Sequence, residues 1–110
     1  MRRWEGKLKK YADRYVHRPD IEKDKNFQSL YKKVGSTKSK YTLTGVDRCY
    51  SLYKAIKYIT KGNILGDIVE CGVWRGGSAM LAALTLIQNN QTHRKIYLYD
   101  TYEGMPKPTD

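Results

Sequence analysis

The residues of this chain whose types and spacing could do chemistry are Glu70, Gly72, Gly76, Gly77 and Asp100. Glu70 sits near the end of the short apolar run Ile68-Val-Glu-Cys71, glycines follow at 72, 76 and 77, and Asp100 closes a second run, Ile96-Tyr-Leu-Tyr99. Gly72 lets a ligand approach the backbone with no Cβ in the way, and Gly76-Gly77 allow a tight turn into a helix whose first amides are free. A carboxylate at the end of the neighbouring strand can accept hydrogen bonds from both hydroxyls of a ribose. The run Glu70-Cys-Gly-Val-Trp-Arg-Gly-Gly77 lacks the Gly-x-Gly-x-x-Gly dinucleotide pattern, so no pyrophosphate cradle is spelled out. An adenosine ligand without the pyrophosphate fits better. Each residue also has a plainer reading. The glycines alone make a strand-to-helix turn and Asp100 a loop cap. Glu70 pairs with a lysine or a backbone amide, since an acid in an apolar strand is costly without hydrogen bonds. Arg75 is solvated or pairs with Glu70, Trp74 packs in the core, and Cys71 is a small buried hydrophobe.

These residues need a particular frame. Val46, Cys49, Tyr50, Tyr53, Ile56 and Ile59, with the small Ala55, trace a helical stripe. Asp47 lies in its first turn, Lys57 and Lys61 in its last, and Gly62-Asn63 is the stop signal. Ile68 to Cys71 reads as a buried strand broken by the glycine loop, and residues 78–87, rich in Ala, Leu and Met, as a helix buried on most of its surface. A second strand, Lys95-Ile-Tyr-Leu-Tyr-Asp100, runs into a loop opened by Gly104 and Pro106. Strand, glycine turn, helix and strand make one parallel βαβ unit of an α/β fold. Ligands of such sheets lie outside the carboxyl ends of the strands, so Glu70, Gly72 and the loop to Gly77 are expected to share a crevice with Asp100 and Tyr102.

Upstream, Trp4, Leu8, Tyr11 and Tyr15 predict a short amphipathic helix ended by Pro19. Residues 20–39 read as a polar linker of surface character, with Phe27, Leu30, Tyr31 and Val34 as a weak second stripe. At 110 residues the chain holds at most one domain. No apolar run is long enough to span a bilayer, and the N-terminus lacks the apolar stretch of a secretory signal. Two cysteines, Cys49 and Cys71, build neither a disulfide scaffold nor a zinc site, and a reducing, cytoplasmic compartment is expected. Residues 1–64 carry 17 Lys or Arg against six Asp or Glu, and the rest four against five. That asymmetry admits an anionic partner such as nucleic acid. The lysines are scattered singly and in pairs among acids, as on a solvated helix face, and Tyr41, Tyr50, Tyr53 and Tyr58 read as packing residues rather than base-stacking ones.

Two long motifs carry a resemblance. Gly66-Asp-Ile-Val-Glu-Cys-Gly-Val-Trp-Arg-Gly-Gly-Ser78, followed by Tyr99-Asp-Thr-Tyr-Glu-Gly-Met-Pro106, resembles the macrocin O-methyltransferase (TylF-like) family of S-adenosylmethionine-dependent enzymes. The stretch Tyr41-Thr-Leu-Thr and the helix with Asp47-Arg48 are similar to what precedes the glycine loop there, so the likeness covers about residues 41–110. It implies a Rossmann-like class I methyltransferase fold, here incomplete, as one βαβ unit preceded by helices. Residues 1–40 would be a basic helical and loop extension, and 41–110 the N-terminal part of the S-adenosylmethionine-binding domain. The resemblance puts Glu70, Gly72, Val73 and the Trp74-Arg75-Gly76-Gly77 turn around the methionine part of S-adenosylmethionine. It puts Asp100 on the ribose, with Thr101 and Tyr102 flanking the adenosine. Tyr102 stands where the family often has Phe, which keeps the ring and adds a hydroxyl.

Length is the larger departure. The family's sheet has about seven strands, more than 110 residues can supply, and its acidic Mg2+ ligands and general base belong to the portion that would follow Asp110. No catalytic or metal-binding residue can therefore be named, and the chain alone is expected to be inactive. The implied acceptor is a small hydroxylated sugar or natural product. A non-catalytic adenosine- or nucleotide-binding module and a basic nucleic-acid-associated protein are the alternatives. Two strands with bare edges predict low stability or association of the chain with its own copies.

Overall fold

The computed structural model describes residues 19–35 and 40–109. Helices α1 (Pro19–Lys23) and α2 (Lys25–Val34) precede helix α3 (Val46–Lys61), strand β1 (Ile68–Cys71), helix α4 (Gly77–Gln88) and strand β2 (Ile96–Tyr99). The strands pair in parallel, with Ile68 opposite Ile96 and Cys71 opposite Tyr99, and α4 is the crossover of the expected βαβ unit. The stripe of Trp4, Leu8, Tyr11 and Tyr15 and the turn at 36–39 lie outside the described residues.

The first helices correct the sequence reading. Pro19 was expected as a terminator and is instead the first residue of α1, where its missing N–H costs no hydrogen bond. Residues 19–34 are not a surface linker. Asp24 caps α2, its Oδ1 accepting the Phe27 N–H at 2.9 Å. Ile21, Phe27, Leu30 and Val34 then join Cys49, Tyr53 and Leu81 in the main buried cluster. Phe27 is its hub, with ring centroids of Tyr50, Tyr53 and Tyr31 at 4.9, 5.4 and 5.5 Å. Apolar residues at 27, 30 and 34 suffice for burial because they fall on one face, however polar the other positions are.

Helix α3 has the predicted span, and Gly62 and Ile64 close it, donating to the carbonyls of Tyr58 and Ile59 at 2.9 Å each. Its buried face holds Cys49, Tyr53 and Ile56, with Leu52 packing beside them, whereas Ala55 is exposed. Tyr58 and Tyr41 are also exposed, so of the four tyrosines read as packing residues only Tyr50 and Tyr53 serve that role.

A second cluster, Ile56, Ala82 and Leu86 with Leu52, Ile68 and Ile96, seats the sheet on α3 and α4. Strand side chains alternate between faces, and only the face bearing Ile68 and Ile96 is covered, in part, since Leu98 on that face is exposed. Val69, Cys71, Tyr97 and Tyr99 on the other face are exposed. Neither β1 nor Cys71 is buried as the sequence suggested, because an apolar run is buried on both sides only where helices cover both faces. Helix α4 is also less enclosed than expected, with Met80 and Ile87 at the surface.

Candidate functional site

The site is built where both strands end. The Gly72 N–H donates to the Tyr99 carbonyl at 2.8 Å, extending the ladder one residue beyond β1. The chain then leaves the sheet with φ +85° at Gly72, +49° at Trp74 and +80° at Gly76 before α4 begins. Glycine takes such angles freely, whereas a tryptophan there is strained. A Cβ added at Gly72 or Gly76 would meet nothing within 4 Å, so both present bare backbone to open space.

Gly77 differs. Its N–H donates to the Tyr41 carbonyl at 2.9 Å, and a Cβ there would lie 2.5 Å from the Tyr41 carbonyl carbon and oxygen. Its glycine character serves the close passage of Tyr41 and Thr42 over the start of α4. Tyr41 in turn donates to the Val34 carbonyl at 2.9 Å, so this segment stitches α2 to α4.

Asp100 links the two loops. Its Oδ2 accepts the Val73 N–H at 2.7 Å and the Trp74 N–H at 3.4 Å, and its Oδ1 accepts the Tyr102 N–H at 3.1 Å. These amides, that of Val73 above all, hold its carboxyl below the usual range, because they favour the ionised form. Each carboxylate oxygen has about two acceptor directions, so the Val73 and Trp74 amides fill those of Oδ2, and an incoming hydroxyl would be accepted at Oδ1, from which Thr101 Oγ1 lies 3.4 Å away. Thr101 Oγ1 donates to the Gly104 carbonyl at 3.1 Å, and the Tyr102 hydroxyl donates to the Leu98 carbonyl at 3.1 Å. In β2 it is Lys95 and Tyr99 whose carbonyls face β1, so the Leu98 carbonyl belongs to the outer edge, and the tyrosine hydroxyl satisfies it.

Gly72, Trp74, Asp100, Thr101, Tyr102, Gly104, Met105 and Pro106 line one cleft of about 660 Å³. That is within the ~300–1,000 Å³ typical of small-molecule sites. Val73 contributes its amide, its side chain being buried. Arg75 stacks its guanidinium on the Trp74 indole at 4.9 Å, and the indole is half exposed rather than in the core. Glu70 is not in this cleft. It points to the covered face of the sheet, beside Leu52, Ile68, Ser78, Ala79, Ala82 and Ile96. Its Oε2 is shielded from solvent without a hydrogen-bond partner, and burial pushes its carboxyl above the usual range. Among the described residues no group of three His, Cys, Asp or Glu is placed to hold a metal ion.

Sequence reasoning missed the outer wall of the cleft, Gly104, Met105 and Pro106, although Gly104 was visible as a loop breaker and has φ +80°. It also missed Asp67 and Arg94 at the opposite end of the sheet. Arg94 donates to the carbonyls of Ile64 and Gly66, and Asp67 accepts the Lys95 N–H at 2.9 Å. Nothing in their spacing announces these pairings, because backbone partners leave no mark in a sequence.

Comparison with known proteins identifies a family. The family described as Macrocin-O-methyltransferase (TylF) matches residues 7–110, reaching further upstream than the two motifs. A tetracenomycin-C 4'-O-methyltransferase from Streptomyces olivaceus, acting on the 8-demethyl-8-(2,3-dimethoxy-alpha-L-rhamnosyl) form, is 34% identical over 67 residues, 61% of this chain and 26% of that protein. Mycinamicin III 3''-O-methyltransferase from Micromonospora griseorubida is 31% identical over 70 residues, 64% of this chain and 28% of that protein. Demethyldecarbamoylnovobiocin O-methyltransferase from Streptomyces niveus is 30% identical over 66 residues, 60% of this chain and 25% of that protein. The chain thus spans about a quarter of the length of these curated relatives. No solved structure matches at a significant level.

Proposed function

The chain belongs to the macrocin O-methyltransferase (TylF) family, and from that premise we propose that the cleft at the strand ends binds S-adenosylmethionine as part of an O-methyltransferase. The proposed acceptor is a hydroxyl of a sugar or related natural product, the kind of group named for the relatives. One observation carries the reading. Bare backbone at Gly72 and the carboxylate of Asp100 meet in one cleft at the carboxyl ends of two parallel strands, where open α/β sheets take their ligands.

The fit is steric and chemical. Gly72 leaves room in the cleft that a Cβ would fill, whereas Gly76, outside the cleft lining, supplies the turn into α4. Asp100 offers acceptor capacity for one ribose hydroxyl at Oδ1, and the half-exposed Trp74 and the exposed Tyr102 offer ring faces to the flat and apolar parts of the ligand. Val73 and Thr101 set the backbone on either side of Asp100, and Arg75 orients the Trp74 ring. Gly77 and Glu70 belong to the supporting layer, Gly77 by passing Tyr41 and Glu70 by lying under α4. When bound, S-adenosylmethionine supplies an electrophilic methyl group on a sulfonium. The residues of this chain bind and orient it, and no step involving a metal or a base is assigned to them.

Calorimetric titration of the chain with S-adenosylmethionine, beside Gly72→Val, tests this. Micromolar binding abolished in a variant whose circular dichroism is unchanged is the expected result. A folded chain that gives no heat with the cofactor would reduce the glycine loop to a strand-to-helix turn.

A further inference from the structure

Two residues of the cleft adopt a backbone conformation that non-glycine residues rarely take, and both are held by the same side chain. Trp74, on the glycine loop, has φ +49°, and Tyr102, on the loop after β2, has φ +57°. The N–H of each donates to Asp100, Trp74 to Oδ2 at 3.4 Å and Tyr102 to Oδ1 at 3.1 Å, while the shorter 2.7 Å bond from Val73 fixes the residue just before Trp74. One carboxylate therefore spans both lips of the cleft, one oxygen to each. Left-handed conformations of bulky residues persist only where the surroundings over-determine them. Trp74 and Tyr102 have exposed rings, so side-chain burial does not hold them in place. Tyr102 has one more tether, its hydroxyl to Leu98, and Trp74 has the stacked Arg75. Neither of those ties one lip to the other.

We propose that Asp100 is a positioning residue, whose carboxylate pre-forms the cleft by clamping the glycine loop to the loop after β2 before any ligand arrives. This rests on the reading of the cleft as the S-adenosylmethionine site and deepens it. A residue that only accepted hydrogen bonds from a ribose would leave the empty cleft unchanged when removed, whereas a clamp shapes the empty cleft and acts on ligands that it never touches.

Amide hydrogen exchange of the ligand-free chain separates the two, with the Gly72 N–H, bonded to Tyr99 within the sheet, as the internal reporter of folding. In Asp100→Ala, exchange at Val73 and Tyr102 is expected to quicken together, by about tenfold or more for loss of a bond to a charged acceptor, while Gly72 stays protected. Asp100→Asn keeps one acceptor oxygen, so at least one lip is expected to be freed with Gly72 again protected. Unchanged exchange at Val73 and Tyr102 in both variants would overturn the proposal. So would loss of Gly72 protection in both, because the carboxylate would then hold the fold and not the lips.

Affinity provides the second arm. S-adenosylhomocysteine and its 2',3'-dideoxy counterpart, which offers no ribose hydroxyls, are both expected to bind Asp100→Asn more weakly than the parent chain, by about tenfold. An unchanged affinity for the dideoxy compound would assign Asp100 to ribose contact alone. If neither compound binds the parent chain but the exchange pattern is as expected, the clamp stands and the S-adenosylmethionine reading falls.

Discussion

The two ends of the two-stranded sheet are tied by the same device with opposite charge. Where the strands begin, Arg94 donates to the carbonyls of Ile64 and Gly66 at 2.6 Å each, and to Gln91 Oε1 at 3.0 Å. Where they end, Asp100 accepts the amides of Val73, Trp74 and Tyr102. The chemistry follows what each loop presents. The loop entering β1 turns the carbonyls of Ile64 and Gly66 towards Arg94, and the loop leaving β1 turns the amides of Val73 and Trp74 towards Asp100. A cation suits the first and an anion the second. What separates the ends functionally is what remains uncovered: the entrance loop also has a positive φ at Asn63 and open space at Gly66, but at the exit end the residues with positive φ include the bulky Trp74 and Tyr102, and these line a cleft of about 660 Å³.

Substitutions sharpen that contrast. The largest effect on stability is expected at Gly77, where a Cβ meets the Tyr41 backbone at 2.5 Å. Gly77→Ala should cost ~1–3 kcal/mol, the usual range for overpacking, read from the midpoint of urea unfolding. A neutral result would mean that the segment at Tyr41 is free to shift. Next is Arg94→Met at the entrance end, expected to cost about 1–2 kcal/mol for loss of charge-assisted bonds to carbonyls near the surface. Its S-adenosylmethionine affinity per folded molecule should stay unchanged. Weakened binding in Arg94→Met would break the comparison, since it would make the entrance end part of the site. Gly72→Ala should be milder, about 1 kcal/mol for forcing a positive φ on alanine, with the balance reversed so that cofactor affinity falls more than stability, since this glycine lines the cleft.

Much of this frame was legible in the sequence, and the reasons are specific. Helix α3 was readable to its ends because its stripe, acidic first turn, basic last turn and Gly62 all agree. The parallel pair was readable because Gly72 to Gly77 separates two short apolar runs by one helix. The role of α2 was not, since Phe27, Leu30, Tyr31 and Val34 are only four apolar or aromatic positions in a polar stretch, and the cap at Asp24 was needed to weight them. At the site, the sequence located the glycine loop and Asp100 but not what Asp100 bonds to. Only the Tyr102 amide, two positions on, is a local partner; the other two amides come from residues 26 and 27 positions away, and any residue type supplies an amide. Gly77 was grouped with Gly72 and Gly76 by type, and only the path of Tyr41 distinguishes it.

The smallest expected effect concerns two carboxylates, Glu70 in β1 and Asp100 just after β2, whose pH dependence should have opposite signs. Asp100 is held below its ordinary range by the Val73 amide, so its contribution to stability is present above the unfolded value, ~3.9, and is lost as pH falls through the folded one. Glu70 is pushed above its range by burial. As pH rises past ~4.3 the unfolded chain releases its proton first, so the folded state binds more protons and stability falls towards neutrality. Glu70→Gln keeps the shape and removes the charge. It should therefore raise the thermal midpoint at pH 7 by no more than about 2 °C, the side chain being only partly shielded, with the gain vanishing near pH 4. A loss of stability at pH 7 would show instead that the ionised Glu70 has a stabilising partner, and the shielded Oε2 could no longer be read as a carboxyl that the fold merely tolerates beneath α4.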